Sequence, residues 1–379
     1  MSELSYLEKL LDGVEVEWLP LSGLARIRNG KDHKSLSEGE FPVYGSGGIM
    51  RYVDTYAYNK PSVLIPRKGS LGNLFFVNVP FWTVDTIFYT EIDEAQIRPK
   101  YLYYFLTTVG LGEMNQAGGV PSQTQSVLNK LKIPIPCPDN PEKSLAIQSE
   151  IVRILDKFTE LTAELTAELT AELSMRKKQY NYYRDQLLSF KEDEVEGKRK
   201  TLGEIMKMRA GQHISAHNII ERKEESYIYP CFGGNGIRGY VKEKSHDGEH
   251  LLIGRQGALC GNVQRMKGQF YATEHAVVVS VMPGINIDWA FHMLTAMNLN
   301  QYASKSAQPG LAVGKLQELK LFVPSIERQI YIAAILDKFD TLTNSITEGL
   351  PREIELRQKQ YEYYRDLLFS FPKPETVSN

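Results

Sequence analysis

The sequence predicts an α/β protein: two globular α/β domains joined by two long helices packed as an antiparallel coiled coil, duplicated about a pseudo-two-fold axis. Three observations in the 379 residues predict this fold class. The segment ILDKFTELT at 154–162 returns as ILDKFDTLT at 335–343. The displacement that takes residue 154 to residue 335 is here called the helix offset. Apolar residues around both segments follow a heptad, and short β-rich runs occupy the regions between them. A repeat of this size indicates a duplicated half-molecule.

The first long helix is predicted from Ile147 onward, where apolar residues recur at alternating steps of four and three. Three consecutive Thr-Ala-Glu-Leu blocks at 162–173 then impose a step of four. That step overshoots the helical period, so the apolar stripe drifts around the helix before the heptad resumes at Tyr180. The leucines predicted as spacer and partner-contacting positions are Leu161, Leu165, Leu169 and Leu173.

The second long helix repeats the apolar register at the helix offset, with Leu342, Ile346 and Ile354 at the matching positions. Its middle contains Gly349 and Pro351, which predict a kink or a short break. Two helices of matched length, each with one apolar stripe, most simply pack antiparallel, so that neither stripe is left in water.

The two globular regions also align, but at a displacement slightly larger than the helix offset. The displacement that takes residue 41 to residue 229 is here called the domain offset. FPVYG at 41–45 matches YPCFG at 229–233, and RKGSL at 67–71 matches RQGAL at 255–259. Short β-rich runs punctuated by Gly and Asn predict strands in both, followed by a small helix near 100–108 or 288–297. The change from one offset to the other is assigned to the linker after each domain. Because sequence similarity between the two domains is otherwise sparse, they are predicted to share one backbone fold but to have different surface residues.

Composition favours a reduced, cytoplasmic protein without a membrane segment. Cys137, Cys231 and Cys260 show no paired spacing, and no stretch resembles a signal peptide or an apolar span of ~20 residues. Residues 20–136 hold 12 Lys/Arg against 9 Asp/Glu, and residues 201–324 hold 13 against 10. The domains are therefore mildly basic and the helices acidic, which is compatible with phosphate contact by the domains and protein contact by the helices.

No catalytic motif or metal site is predicted. The sequence lacks the Asn/Asp-Pro-Pro-aromatic loop of an adenine methyltransferase, and its glycine clusters lack the spacing of a cofactor loop. The segment from Gly310 to Lys315 is one residue short of a phosphate loop, and Leu316 replaces its Ser or Thr. His213 and His217 lack the intervening Glu of a zinc helix and are interpreted as exposed polar residues.

Glycine-rich turns and polar loops are the candidate DNA-contacting segments. Small residues at 45–48 and 233–236 predict tight turns between strands, which could also let the backbone approach DNA, and a second Gly turn follows Arg67 and Arg255. Nearby Arg, Lys, Gln, Asn and Ser can pair with phosphates or base edges, although generic loop composition explains the polar tracts almost as well. The predicted DNA-binding residues are Ser46, Arg51, Arg67, Lys68, Ser70, Gln123, Gln125, Asn235, Arg238, Arg255, Gln256, Lys305 and Gln308.

These features resemble a known family: the specificity subunits of type I restriction-modification systems, and within them the subgroup whose central spacer contains TAEL repeats. The resemblance covers the whole chain and rests on the TAEL blocks, the paired ILDKF and QYxYYRD segments, and both termini. It implies two target recognition domains that read the halves of a bipartite, asymmetric DNA sequence, with the helices setting the spacer between them.

Partners and cofactors are implied by the same resemblance. Two modification subunits, which bind S-adenosylmethionine, would dock on the helices, and two restriction subunits, which use ATP and magnesium, would complete the nuclease on double-stranded DNA. This chain is expected to be non-catalytic and to bind no cofactor itself. Two other classes stay open on the residues alone: a self-contained DNA methyltransferase or nuclease, and a structural coiled-coil adaptor.

The predicted organisation has seven segments. They are an N-terminal segment 1–19, a first recognition domain 20–144, a central helix 145–190, a linker 191–200, a second recognition domain 201–325, a C-terminal helix 326–371 and a tail 372–379.

Overall fold

The computed structural model describes residues 6–114, 121–189, 196–257, 259–304, 309–345 and 347–372. The chain divides into two compact units. Unit 1 comprises Met1–Glu168 together with Ile354–Asn379, and unit 2 comprises Leu169–Glu353. The first unit therefore unites the first globular domain with the start of one long helix and the end of the chain.

The first globular domain folds into four short helices and nine strands among the described residues. They are α1 (Tyr6–Leu11), β1 (Val16–Pro20), α2 (Leu21–Leu24), β2 (Ala25–Asn29), β3 (Phe41–Gly45), β4 (Gly48–Val53), β5 (Ser62–Pro66), β6 (Phe75–Val77), β7 (Trp82–Thr83), β8 (Ile87–Ile92), α3 (Pro99–Thr108), α4 (Gln125–Leu128) and β9 (Lys132–Pro136).

These strands form three small sheets. The order is β2-β8-β5-β6 in a four-stranded sheet and β4-β3-β7 in a three-stranded sheet, while β1 pairs with β9. Every residue of β5 is buried, which fits its continuous run of apolar residues. The predicted strands near 62–65, 74–77 and 86–89 and the helix near 100–108 are confirmed.

The first long helix, α5, runs without interruption over Pro141–Leu188 and is 48 residues long. It starts before the first apolar position of the predicted heptad and continues through all three TAEL blocks. Thr-Ala-Glu-Leu contains good helix formers and no Gly or Pro, so nothing in the blocks breaks the helix. The prediction of a long central helix is confirmed.

The second globular domain repeats the first, element by element. Its elements are β10 (Gly197–Thr201), α6 (Leu202–Ile205), β11 (Met206–Ala210), β12 (Tyr229–Gly233), β13 (Gly236–Val241), β14 (Glu249–Gly254), β15 (Val263–Lys267), β16 (Tyr271–Ala272), β17 (Ala276–Val281), α7 (Ile287–Ala296), α8 (Val313–Gln317) and β18 (Lys320–Pro324).

The sheets of this domain have the same connectivity as those of the first. Their orders are β11-β17-β14-β15 and β13-β12-β16, and β10 pairs with β18. Even a local irregularity recurs, since the ladder shifts register between Val43 and Tyr44 and again between Cys231 and Phe232. Because the bulge lies at the same position in both copies, the two domains share the backbone structure of this ladder as well as its strand order.

The structure also locates a change of spacing that the sequence did not reveal. The loop from β2 to β3 covers only residues 30–40, whereas the equivalent loop from β11 to β12 is longer and covers residues 211–228. Strands β2 and β11 are still related by the helix offset, and β3 and β12 are the first pair related by the domain offset. The longer connection after β9 then restores the helix offset. Only the second of these changes was predicted.

The second long helix is broken, as predicted. It consists of α9 (Ile326–Asn344) and α10 (Leu350–Leu368). Gly349 has a φ of +84°, a left-handed conformation that strains residues with a Cβ. Pro351 is the second residue of α10, where the missing N–H removes no helical hydrogen bond. The predicted position Ile346 lies outside the described residues.

The long helices pack antiparallel within unit 1. The ring of Phe158 on α5 stacks on Tyr364 of α10 with 5.5 Å between centroids. One residue further along α5, Thr159 donates a hydrogen bond to the hydroxyl of Tyr361, earlier in α10. In unit 2, Tyr183 of α5 stacks in the same way on Phe339 of α9, at 5.6 Å.

The apolar stripe of the TAEL region is less buried than predicted. Leu165, Leu169 and Leu173 are half-buried, as are Leu342 and Ile354 on the other helix. Leu161 is 51% exposed, so the prediction that neither stripe is left in water is wrong there. The step of four residues rotates the stripe around α5, and a single partner helix cannot cover all of it.

Each unit has its own hydrophobic core. The core of unit 1 includes residues from the end of the chain, Leu368, Phe369 and Phe371, alongside the strands and α3. Trp18 on β1 donates a hydrogen bond from its indole N–H to the carbonyl of Pro372, 2.7 Å away. The core of unit 2 includes Trp289 of α7, which is fully buried. The first domain is therefore completed by the last residues of α10 and the segment that follows it.

Two compositional expectations can be compared with the structure. Cys137, Cys231 and Cys260 are all unpaired, and the latter two are buried. Across the described ranges, no helix combines the length and the apolar character needed to span a membrane.

Candidate nucleic-acid interface

A β-hairpin with a two-residue turn projects from each globular domain. Gly45 pairs with Gly48 across the end of β3 and β4, and Gly233 pairs with Gly236 across the end of β12 and β13. Gly48 and Gly236 have φ angles of +115° and +98°, so the tight turns demand glycine there. The turn residues Ser46 and Asn235 are half-buried and exposed, respectively.

A second turn follows the buried strand β5 or β14 in the two domains. Gly69 and Gly257 have φ angles of +83° and +91°. The N–H of Gly69 donates to the carbonyl of Pro121 at 2.9 Å, and that of Gly257 to Pro309 at 3.0 Å. These hydrogen bonds join the second turn to a third loop, which contains Pro121 in the first domain and Pro309 in the second.

The hairpin lies against the second turn. A Cβ placed on Gly69 would be 3.4 Å from the hydroxyl of Ser46, and one on Gly234 would be 2.9 Å from the carbonyl of Gln256. Side chains also join the loops, since the amide of Asn262 donates to the side chain of Asn235 at 3.3 Å. Hairpin, second turn and third loop form one continuous surface in each domain, here called the three-loop surface.

Cationic and amide side chains are presented at this surface. The Arg67 guanidinium lies over the ring of Phe88, 5.8 Å from its centroid, which holds its aliphatic stem against the sheet. Arg255 donates to the carbonyl of Glu274 at 3.5 Å. Lys68, Ser70 and Gln256 are exposed. The structure therefore gathers the predicted residues of the second turn and the hairpin tip in one place.

Three other predicted residues form hydrogen bonds within the domain. Gln123 is only 2% exposed, and its amide donates to the carbonyl of Pro66 at 2.7 Å. Its assignment to a DNA-facing surface is therefore wrong, because the side chain fastens the third loop to β5. Arg51 donates to the carbonyl of Leu36 at 3.1 Å, and Gln125 is half-buried and donates to Asn29.

Arg51 and Arg238 do not occupy equivalent positions, although both were predicted from the strand after a hairpin turn. Arg51 faces Val43 in the ladder, whereas Cys231, which matches Val43, faces Gly239. Arg238 is exposed and matches Met50. Lys305 and Gln308 were also predicted, but they lie outside the described residues.

Sequence reasoning missed two apolar residues at this surface. Ile49 and Ile237 are 50% and 58% exposed, and each directly follows the turn glycine of its hairpin. The domain offset relates them, so the repeat itself was the signal that could have found them. Exposed apolar side chains of this kind can contact the methyl group of thymine.

The predicted exposed histidines are confirmed at 213 and 217. The imidazole Nδ1 of His213 lies 3.0 Å from a carboxylate oxygen of Glu274. Within the part of the chain that the structure describes, no group of three or more His, Cys, Asp or Glu is arranged to hold a metal ion.

Comparison with known proteins decides the family. The model of the type I restriction modification DNA specificity domain matches residues 14–175 and, a second time, residues 194–356. The chain belongs to this family. The two matches fall on the two halves of the duplication, each containing one three-loop surface.

Similar proteins support the assignment along nearly the whole chain. The chain is 69% identical to the type I restriction enzyme EcoprrI specificity subunit of Escherichia coli, over 92% of this chain and 93% of that one. It is 45% identical to the EcoR124I/EcoR124II specificity subunit of the same species, over 100% of both chains. Specificity subunits are the non-catalytic members of type I systems.

Solved structures share the fold. The S subunit of a type I restriction-modification system from M. genitalium covers 98% of this chain and 99% of its own, with a TM-score of 0.52 at 17% identity. A chain from structural work on complex assembly and conformational transition of the type I R-M system covers 93% of this chain and 97% of its own, with a TM-score of 0.64 at 14% identity.

The helices of this specificity subunit carry a second duplicated surface. Tyr182 and Tyr363 are 62% and 64% exposed, and the helix offset relates them. Each packs edge to face on the next tyrosine, which in turn stacks on a phenylalanine of the other helix. The two aromatic patches are Phe158 with Tyr363 and Tyr364 in unit 1, and Phe339 with Tyr182 and Tyr183 in unit 2.

Proposed function

We propose that the chain is the DNA-reading subunit of a type I restriction-modification complex of the TAEL-repeat subgroup. Each recognition domain reads one half of a bipartite, asymmetric target, and the helices set the spacer and dock the modification subunits. One observation carries the proposal: the same three-loop surface occurs in both domains with different side chains at equivalent positions. Lys68 is replaced by Gln256, and Met50 by Arg238, so the two domains would read different bases.

The shape of the three-loop surface suits double-stranded DNA. The major groove is about 12 Å wide and admits a two-stranded β-ribbon, which is what each glycine-tipped hairpin provides. Glycine at the tip removes side chains that would keep the backbone away from the bases. Arg67, Lys68 and Arg255 lie on the neighbouring turn, where cations can pair with phosphates or with guanine.

The aromatic patches fit two copies of one protein partner. Tyrosine is enriched in the energetically dominant centres of interfaces, and exposed aromatic groups of this kind mark interaction sites. Because the patches repeat at the helix offset, one in each unit, they would receive two identical subunits. We assign them to two modification subunits, which bring S-adenosylmethionine. Two restriction subunits, with ATP and magnesium, would complete the cytoplasmic complex.

Exchange of one recognition domain tests the function directly. Replacing residues 20–136 by the corresponding segment of another family member should change one half-site and leave the other unchanged. The segment starts at the end of β1 and finishes with β9, which pair antiparallel with each other, so the two junctions lie at the opposite ends of one short ladder. Methylated adenines would be mapped in cells carrying the chimaera and the modification subunit. A simultaneous change in both half-sites would contradict independent reading.

Alanine substitution at the second turn tests the DNA contacts. We expect Arg67→Ala and Arg255→Ala to weaken binding of the reconstituted modification complex to its cognate duplex. Loss of a phosphate contact should reduce the salt slope by about one unit for all sequences, whereas loss of a base contact should cost ~1–3 kcal/mol at one position.

Lys60→Ala provides the control for this substitution, because Lys60 is exposed and precedes β5, whereas Arg67 follows it. The control should bind like wild type at every salt concentration. If Arg67→Ala and Arg255→Ala behave like the control, these arginines are structural and the three-loop surface does not depend on them.

A further inference from the structure

Each recognition domain is joined to the long helices of its unit by a hydrogen-bonded carboxylate. In unit 1 the carboxylate is that of Asp156 on α5. Lys100 of α3 lies 2.8 Å and 2.9 Å from its two oxygens, and the hydroxyl of Tyr104 on α3 donates to it at 2.7 Å. Burial raises the pKa of Tyr104, so its hydroxyl remains protonated and acts as the donor.

In unit 2 the corresponding carboxylate is that of Asp337 on α9. The ring Nε2 of His292 on α7 lies 2.8 Å from it, and Arg265 of β15 forms an ion pair with the same oxygen. The side chain of His292 is completely buried. Burial lowers the pKa of His292, which favours the neutral ring. Its Nε2 also lies 3.1 Å from Arg265, and it donates to Asp337 when it carries the ring hydrogen.

A tyrosine of the opposite helical segment is connected to both networks, directly in unit 2 and through Thr159 in unit 1. The hydroxyl of Tyr180 lies 3.2 Å from Nδ1 of His292, which accepts a hydrogen bond when Nε2 carries the ring hydrogen. In unit 1, Tyr361 accepts a hydrogen bond from Thr159, whose hydroxyl is 3.3 Å from that of Tyr104. The helix offset relates Tyr180 to Tyr361, as it relates the two aspartates.

The donors differ although the acceptors are the same. Tyr104 and His292 are related by the domain offset, and so are Lys100 and Asp288. Unit 2 thus has a carboxylate where unit 1 has its cation. Arg265 compensates by lying 3.4 Å from Asp288 while it pairs with Asp337. Different side chains in the two units therefore donate hydrogen bonds to the equivalent aspartate of the long helices.

We propose that Asp156 and Asp337 are positioning residues that fix the angle at which each recognition domain presents its three-loop surface to DNA. This inference rests on the proposed function. Hydrogen bonds to a carboxylate are directional and strong. In unit 1 they link α3 of the recognition domain to α5, and in unit 2 they link α7 to α9. Helices α5 and α9 also contribute to the aromatic patches. Base readout depends on such orientation, because a binding site must be held within about 10–20° of its productive geometry.

The internal repeat supplies the experiment and its control. Asp337→Asn and Asp156→Asn would be assembled with the modification subunit, and methylation rates would be measured on the cognate duplex and on duplexes with one changed base in either half-site. Asp337→Asn should lower discrimination about tenfold at the half-site read by unit 2, the usual effect of weakening one charge-assisted hydrogen bond, and leave the other half-site unchanged. Asp156→Asn should do the reverse.

Exchange of the donors separates positioning from bulk stability. His292→Tyr and Tyr104→His keep a donor toward the aspartate and should retain discrimination, whereas His292→Phe and Tyr104→Phe keep the ring and should lose it at one half-site. If an aspartate variant does not fold, these four variants carry the test. Equal discrimination by the Phe and wild-type proteins, or equal losses at both half-sites, would overturn the positioning role. Absence of discrimination in the wild-type complex would instead refute the proposed function.

Discussion

Replacement of Phe369 by alanine is expected to destabilise unit 1 by about 3–5 kcal/mol, the usual cost of truncating a buried phenylalanine. Phe369 is 6% exposed. Its ring lies 5.4 Å from that of Tyr101 and 5.6 Å from that of Phe105, both on α3. The loss would be large because this residue lies near the end of the chain yet fills the core of the first recognition domain.

Urea titration followed by tryptophan fluorescence would measure the effect, since Trp18 packs against Phe105 and reports on this core. Leu367→Ala is the matched control, because Leu367 is 38% exposed. A surface substitution usually changes the free energy of unfolding by less than ~0.5 kcal/mol in either direction. If both variants unfold at the same urea concentration as wild type, the end of α10 does not contribute to the core.

Local patterns predicted the elements of this fold. Heptad spacing identified the long helices, and Gly349 with Pro351 identified the break between α9 and α10, because both signals act through neighbouring residues. Short β-rich runs and glycine spacing likewise predicted the strands. What could not be predicted depends on contacts between distant residues, such as the hydrogen bond from Trp18 to Pro372. Nothing near either residue in the sequence indicates the other.

The candidate site shows the same division. Composition predicted the hairpin tips and the turns after Arg67 and Arg255, since glycine and cationic residues mark them locally. Composition could not distinguish Gln123, which is buried and bonded to β5, from exposed polar residues of the same loop. Composition alone also offered no reason to select Ile49 or Ile237, although the internal repeat relates them. Their significance comes from exposure, which depends on the folded sheet.

Deletion of one TAEL block is expected to shorten the non-specific spacer of the DNA target by one base pair while both half-sites stay the same. Four residues contribute about 6 Å of helix and about 40° of rotation, against about 3.4 Å per base pair. This geometry allows a shift of one or two base pairs, and the resemblance to the TAEL-repeat subgroup implies one. The boundary between the units passes between Glu168 and Leu169, inside the TAEL blocks at 162–173. A deletion there leaves the residues of both hydrophobic cores in place.

The other helical connection determines whether the shortened protein can adapt. The segments from Leu161 to Leu173 and from Leu342 to Ile354 are equal in length, so the deletion makes the two connections unequal. The break around Gly349 offers a place where the second connection can yield without loss of helical hydrogen bonds. Glu168→Gln, which keeps the length, should leave the spacer unchanged in the same mapping of methylated adenines. An active deletion variant with the original spacer would show that α5 does not set the distance, and loss of folding would show that the helices must match in length.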